Sequence, residues 1–361
     1  MPLDQYTTLG RSGLRVSPLC LGAMTFGEDL GWGTSVEESQ QIIDRYIELG
    51  GNFIDTANFY TRSHSEKILG DHIGRHAARR DRLVLATKFS GNLYPGDPNG
   101  GGSGRKSLIN ACENSLRRLQ TDYIDLYWLH IWDANTPIEE TMGALDDLVA
   151  AGKVRYIGVS DTPAWKIVEA NLIARFRGWS SFIGLQVEYS LLERAIEQEL
   201  VPMASEFGLG ITPWSPLKSG VLSGKYTRAN SGEHNADRGA MVDAFLNDKT
   251  YALIDELEVI AKAHQTNVAS VALAWVHAQA AVSSVIIGAR RLSQLDDNVR
   301  AVDVDLSAEE LTRLDALTRP RFGFPNNMLD MAAGILNGGT TVNGVTAPTS
   351  EYVMPKGVQP Y

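Results

Sequence analysis

The sequence predicts an eight-stranded parallel α/β barrel, a (β/α)8 TIM barrel, on three observations. Eight short apolar stretches alternate with amphipathic stretches of helical period along most of the 361 residues. Three of those stretches lead into ionisable residues: Asp55 with Tyr60 close behind, Lys88, and His130. All strands of a parallel barrel open at one mouth, so this topology would gather those four side chains there. No Gly-x-Gly-x-x-Gly follows the first strand, which argues against the runner-up, a doubly wound open sheet. There is no fixed-period repeat, so alternation of elements alone carries the fold.

Residues 7–9 and 14–17 flank Gly10-Arg11-Ser12-Gly13 and read as an N-terminal hairpin. Barrel strands are expected at 19–22, 52–56, 83–88, 124–130, 154–160, 183–187, 210–214 and 285–288. Helices are expected at 36–49 behind a Ser35 cap, at 107–119 behind a Gly-rich loop, and at 138–151 with Pro137 at the start. The same pattern marks 167–175, 195–207, 267–279 and 292–302. Three segments break the rhythm. Residues 90–104 are rich in Gly, Pro and Asn, and 218–247 follow the seventh strand; both are expected as long lids on the active face. The tail beyond Pro320, with Asn337-Gly338-Gly339-Thr340-Thr341, has no clear period. It is expected to be irregular, within a single domain spanning 1–361, and to fold over the mouth or join a neighbour.

Composition narrows the function classes. Hydrophobic residues make up 43% and charged residues 21%, the balance of a soluble globular protein. The net charge of −10 argues against a nucleic-acid surface or an anionic-membrane surface. No apolar run reaches the length of a membrane span, and the N-terminus lacks the basic and apolar regions of a signal peptide. A cytoplasmic location is the default expectation. Cys20 and Cys112 make no disulfide framework and read as reduced, packed thiols.

The gathered residues suit proton transfer. A free phenol, with a pKa near ~10, is a poor acid or base at neutral pH. Lys88 beside Tyr60 is expected to lower that pKa, with Asp55 keeping the ammonium charged and in place. His130 could hydrogen-bond the oxygen that gains or loses a proton. A Tyr hydroxyl and a His N–H aimed at one carbonyl oxygen would polarise its carbon for hydride attack. Any one of the four has an ordinary structural explanation; their joint occurrence at neighbouring strand ends does not.

With those residues stands a broader pattern. Gly10-Arg11-Ser12-Gly13-Leu14-Arg15-Val16-Ser17, Asp55-Thr56-Ala57 with Tyr60 and Ser65-Glu66, and Leu126-Tyr127-Trp128-Leu129-His130 resemble blocks of the aldo-keto reductases. So do Gly152-Lys153-Val154-Arg155-Tyr156-Ile157-Gly158-Val159-Ser160 and Gly288-Ala289-Arg290 with Gln294 and Asn298. The resemblance runs from about residue 6 to 318. It implies that Tyr60 is the general acid/base, that Lys88 and Asp55 tune it, and that His130 positions the carbonyl. It implies NADPH/NADP+ lying extended across the strand ends without a Rossmann fold. Ser160, Asp161 and Gln186 would grip the carboxamide, and Trp214 would stack on the nicotinamide. Ser215, Leu217, Ser219, Gly220 and Lys225 would follow the pyrophosphate. Gly288, Arg290, Gln294 and Asn298 would hold the adenosine end, with the Arg290 fork favouring a 2′-phosphate. Two positions depart from the family pattern. Asp161 stands where Asn is common; it can accept from a carboxamide NH2 but cannot donate to its oxygen. Gln294 is uncharged where some relatives carry Arg.

Substrate-pocket residues are expected in loops after the strands: Phe26, Trp32, Phe59, Leu93, Tyr94, Ile131, Trp132 and Asp133. Their mostly aromatic character suits an apolar or ring-bearing carbonyl compound. Two other classes compete with a reductase. One is a non-catalytic NADP(H)-sensing subunit like the potassium-channel β-subunits. The other is a Schiff-base aldolase using Lys88, a role that Asp55 would oppose by keeping the amine protonated. No metal is expected, because His64, His72 and His76 lie on an expected surface helix without a matching ligand set. A homo-oligomer is left open.

Overall fold

The computed structural model describes residues 2–230, 242–355 and 357. They fall into two compact units, Met1–Thr318 and Arg319–Tyr361. In the first, β1 (Thr7–Thr8) and β2 (Arg15–Val16) form an antiparallel hairpin. Eight parallel strands follow: β3 (Leu19–Gly22), β4 (Phe53–Asp55), β5 (Val84–Phe89), β6 (Ile124–Leu129), β7 (Val154–Ser160), β8 (Phe182–Glu188), β9 (Gly210–Trp214) and β10 (Val285–Gly288). They pair in chain order, with β10 beside β3. At the seam, Ile211 of β9 pairs with Val282 just ahead of β10: Ile211 N–H donates to Ala281 O at 2.7 Å, and Ser283 N–H to Ile211 O at 2.9 Å. This is the (β/α)8 barrel expected from the sequence, closed on itself so that almost no sheet edge is left open.

Two apolar layers follow from the period-two alternation of the strands. Inside the barrel, Cys20, Phe53, Val84, Ala86, Leu126 and Trp128 form one cluster, which Leu9 and Val16 of the hairpin region complete from below. The hairpin therefore plugs the floor. The outward-facing residues Leu19, Leu21, Ile54, Leu85, Tyr127 and Leu129 pack against the surrounding helices in a second cluster. Trp128 is fully buried, and its ring occupies the space beside Gly158 and Gly184. A Cβ on Gly158 would stand 2.3 Å from that indole, so the neighbouring strand has no room for a side chain there.

The helices repeat the expected pattern with informative differences. Val36–Glu48 is capped by Ser35, whose hydroxyl accepts from Glu38 N–H at 3.2 Å. The stretch expected as one helix over 195–207 splits into a short Ala195–Glu197 turn and the helix Leu200–Phe207. Pro202 has no N–H to bond back one turn, so it fits only the first turn of a new helix. Asp248–Ala263, capped by Asn247, and Ala308–Thr318 are further helices outside the expected set. Of the expected lid over 218–247, residues 231–241 lie outside the described residues; Lys218–Ser223 and Arg228–Asn230 form short helical turns. No helix among the described residues is long and apolar enough to cross a membrane.

The second unit corrects the expectation of an irregular tail. It holds a helix, Asn326–Leu336, and a hairpin of β11 (Thr341–Val342) and β12 (Val345–Thr346). The hairpin signal was present as Asn343-Gly344, whose φ values of 49° and 80° suit a two-residue turn between antiparallel strands.

Candidate active site

Inward-facing positions of adjacent strands carry the site. Two residues beyond Phe53, Ala86 and Trp128 of the inner cluster come Asp55, Lys88 and His130. Two beyond Gly158 and Gly184 come Ser160 and Gln186. Strand register sets Asp55 beside Ala86, Lys88 beside Trp128, and Ser160 beside Gln186. All five side chains are buried at the mouth end of the barrel.

Tyr60 reaches the cluster by a different device. Thr61, Arg62 and Ser63 follow it with successive left-handed φ values of 45°, 56° and 75°. Non-glycine residues resist that conformation by roughly 1–2 kcal/mol each. Side-chain bonds brace the turn: Thr61 Oγ1 donates to Phe26 O at 2.7 Å, Ser63 Oγ to Asn58 O at 2.7 Å, and Ser65 N–H to Thr61 Oγ1 at 3.0 Å. Ser65 and Glu66 then anchor the segment to the barrel. Ser65 Oγ donates to Ala23 O at 2.7 Å, and Glu66 accepts from Thr87 Oγ1 and from Arg118 Nε, each at 2.6 Å.

At the centre, Lys88 Nζ donates to Asp55 Oδ2, to Thr56 O at 2.9 Å and to Tyr60 Oη at 3.1 Å. Gln186 Nε2 donates to the other Asp55 oxygen at 3.1 Å. The His130 ring stacks on Phe59, with centroids 5.0 Å apart, and meets the Tyr60 ring edge-on at 5.8 Å. Its buried Nδ1 has no hydrogen-bond partner among the described residues. The four residues expected to meet do meet.

Electrostatics corrects one expectation. Burial raises the pKa of Tyr60 by more than Lys88 lowers it, and Asp55 adds to the rise, so the phenol sits above its ordinary value. The expected net lowering fails because burial of the phenol outweighs the Lys88 charge, which Asp55 further offsets. Burial opposes the charge on Lys88, yet Asp55 and Tyr60 outweigh it and leave the lysine pKa raised. A lysine held as an ammonium by three acceptors is the wrong form for Schiff-base attack. Burial, with help from Lys88, pushes His130 down to about 2, so its imidazole is neutral at working pH.

The residues expected to hold a dinucleotide form a chain of positions from β7 round to β10. Ser160 Oγ is buried without a partner among the described residues, a polar atom left for something else to satisfy. Asp161 has φ 41°, and its Oδ1 accepts from the indole N–H of half-buried Trp214 at 3.1 Å. Gln186 spends its amide N–H on Asp55, a link the sequence did not suggest. After Trp214, Ser215 and Ser219 have left-handed φ values of 52° and 56°, and Ser219 N–H donates to Ser215 Oγ at 3.2 Å. Gly220 has φ 95° with open space where a Cβ would stand, a backbone that a bulky anion could approach. Between them Lys218, overlooked in the sequence, pairs with Glu188 at 2.7 Å and Glu193 at 3.5 Å and ties the loop to β8. Leu217 is half-buried and Lys225 exposed. At β10, Asn298 Nδ2 donates to Gly288 O at 3.2 Å, and Gln294 Oε1 accepts from Arg290 N–H at 2.8 Å. The Arg290 guanidinium has no carboxylate within ion-pair distance among the described residues. This donor set fits a dinucleotide: an unsatisfied hydroxyl, an aromatic face, an open glycine turn and an unpaired guanidinium in sequence.

The expected pocket residues divide. Phe26 is fully buried in the outer core and does not line the mouth; its carbonyl instead braces the turn after Tyr60. Phe59, Tyr94 and Ile131 are exposed, and Trp32 is half-buried. Trp132 meets Trp165 edge-on at 5.6 Å, and Lys166 Nζ lies 4.5 Å from the Trp165 ring. Trp165 escaped the sequence reading, although its place in the first turn of the helix after β7 puts it on the mouth side. Asp133 accepts from Thr136 Oγ1 at 2.7 Å and from Ser103 N–H at 3.1 Å, so it organises its own loop and its neighbour. His64 pairs with Asp29 at 2.6 Å and His72 with Asp44 at 2.8 Å.

Comparison with known proteins agrees with this geometry. The model of the Aldo/keto reductase family matches residues 18–319. An aryl-alcohol dehydrogenase of Pestalotiopsis microspora is 36% identical, over 96% of this chain and 90% of its own. A norsolorinic acid reductase of Aspergillus flavus is 37% identical, over 88% of this chain and 82% of its own. YrpG, an uncharacterised oxidoreductase of Bacillus subtilis, is 38% identical, over 86% of this chain and 95% of its own. With a barrel of this topology and relatives at this level of identity across nearly their whole lengths, the chain belongs to the aldo/keto reductase family of oxidoreductases.

Proposed function

We propose that this protein reduces aldehydes or ketones to alcohols with NADPH, Tyr60 being the proton donor. The observation that carries the reading is the contact of Lys88 Nζ with both Tyr60 Oη and Asp55 at the barrel mouth, with His130 beside them. A phenol held above its ordinary pKa is protonated at neutral pH, as the reductive direction needs. As the proton leaves, the forming phenolate lies 3.1 Å from a fixed ammonium, which stabilises charge where it develops. Neutral His130 supplies a hydrogen bond to the same substrate oxygen without competing as an acid. When bound, NADPH supplies the hydride. Ser160, Asp161 and Trp214 would orient its nicotinamide, Gly220 and its neighbours its phosphates, and the unpaired Arg290 its 2′-phosphate. Equal activity with NADH at low concentration would sink the NADPH preference.

The substrate class follows from the mouth. Phe59, Tyr94, Trp132 and Trp165 offer aromatic surface, and the names of two relatives, aryl-alcohol dehydrogenase and norsolorinic acid reductase, support a ring-bearing carbonyl. The test is NADPH oxidation with aromatic and aliphatic aldehydes, in the native protein and in Tyr60→Phe. The expected result is faster turnover of the aromatic set and a loss of about 10²–10⁴ in kcat in the variant, with NADPH still bound. Tight NADPH binding with no turnover of any carbonyl would instead support a sensing subunit.

A further inference from the structure

We infer that Asp161 makes the site favour oxidised cofactor, binding NADP+ more tightly than NADPH; the inference rests on the cofactor reading above. The carboxylate has a defined place. Asp161 follows β7 directly, and its Oδ1 is held 3.1 Å from the indole nitrogen of Trp214. It therefore stands at the edge of the aromatic face proposed to receive the nicotinamide.

Its carboxylate takes part in no ion pair among the described residues, unlike the charged groups around it. Lys88 is neutralised by Asp55. Tyr60 is held protonated and His130 neutral. Glu188 shares Lys218 with Glu193, at 2.7 Å and 3.5 Å. Among the described residues, no Lys, Arg or His lies within ion-pair distance of Asp161. The nicotinamide ring carries a positive charge when oxidised and none when reduced, while the remainder of the dinucleotide has the same charge in both forms. A carboxylate held at the ring edge attracts only one of them. Asparagine at this position would contact the carboxamide without making that distinction. The missing donor of Asp161 to the carboxamide oxygen affects both forms alike, so it cancels in their ratio.

The consequence has a direction. Stabilising NADP+ in the site pulls the bound equilibrium towards alcohol. Desolvation raises the Asp161 pKa, against the Trp214 hydrogen bond and the Lys88 charge, so the test belongs at about pH 8, well above the carboxylate range.

The experiment is direct titration of the full chain with NADPH and with NADP+, following intrinsic tryptophan fluorescence, in the native protein and in Asp161→Asn. Asn tolerates a left-handed backbone, and Asp161→Gly is a second uncharged variant free of strain at that φ. The expected result is a fall of about tenfold in the ratio of the NADPH Kd to the NADP+ Kd in both variants, equivalent to about 1.4 kcal/mol. Both forms binding with a ratio within about twofold of the native value would overturn the inference and leave the cofactor assignment standing. Failure of either form to bind the native protein would overturn the inference and the assignment together.

Discussion

Gln186 shows how closely the proposed catalytic side chains depend on one another. Its amide satisfies one Asp55 oxygen while Lys88 takes the other. Gln186→Met should leave a buried carboxylate oxygen without a donor, costing about 1–3 kcal/mol of stability. Thermal denaturation would show this as a lowered Tm; an unchanged Tm would mean that water takes over the bond. Under the proposed mechanism, the pH profile of reduction has a sign fixed by two groups. Tyr60 must be protonated and its pKa is raised, so activity should hold across neutral pH and fall only as pH rises past the ordinary phenol range. His130, pushed down to about 2, should add no acidic limb near neutrality. An acidic limb with an apparent pKa of ~6–7, lost in His130→Asn, would contradict that assignment.

Two connecting devices decide the site at the level of elements. The first is the left-handed turn after Tyr60, held by the Thr61 hydroxyl. Thr61→Val keeps the shape of the side chain and removes both bonds, so the turn should relax and carry Tyr60 away from Lys88. The expected result is a fall in kcat of about tenfold or more with little change in NADPH affinity. A fall in affinity with kcat intact would refute the positioning role. The second device is the close approach of β6 and β7 at Gly158. Gly158→Ala would press a methyl onto Trp128 directly beneath the site, at a cost of about 1–3 kcal/mol or more, measurable by chemical denaturation.

Across the whole molecule, the barrel is closed from below by the hairpin and filled by an apolar inner cluster that includes Cys20. Burial pushes the Cys20 thiol well above its ordinary range and Cys112 up to about 12. Neither should react with a thiol reagent at pH ~8 in the native protein, while denaturant should release both for titration. Rapid native labelling of Cys20 would mean that the barrel interior opens to solvent far more readily than its packing suggests.

The amino-acid sequence by itself determined the strands and most of the barrel helices, because each carries a local signal. A strand buried on both sides must be apolar throughout, and a helix covering it must be apolar on one stripe. It also located Asp55, Lys88 and His130, since residues closing parallel strands share one end of a barrel, and Tyr60 in the loop that follows Asp55. Only the tertiary structure decided what lies between elements distant in the chain. It placed Gln186 on Asp55, Trp165 against Trp132, and Phe26 in the core rather than the pocket. It also reversed the expected pKa shift of Tyr60, because that shift is a sum of burial and charges from separate strands. Local pattern reports which way a side chain faces along its own element. Contacts, burial and fields depend on the neighbours that closure of the barrel brings in, and no segment of the chain encodes those alone.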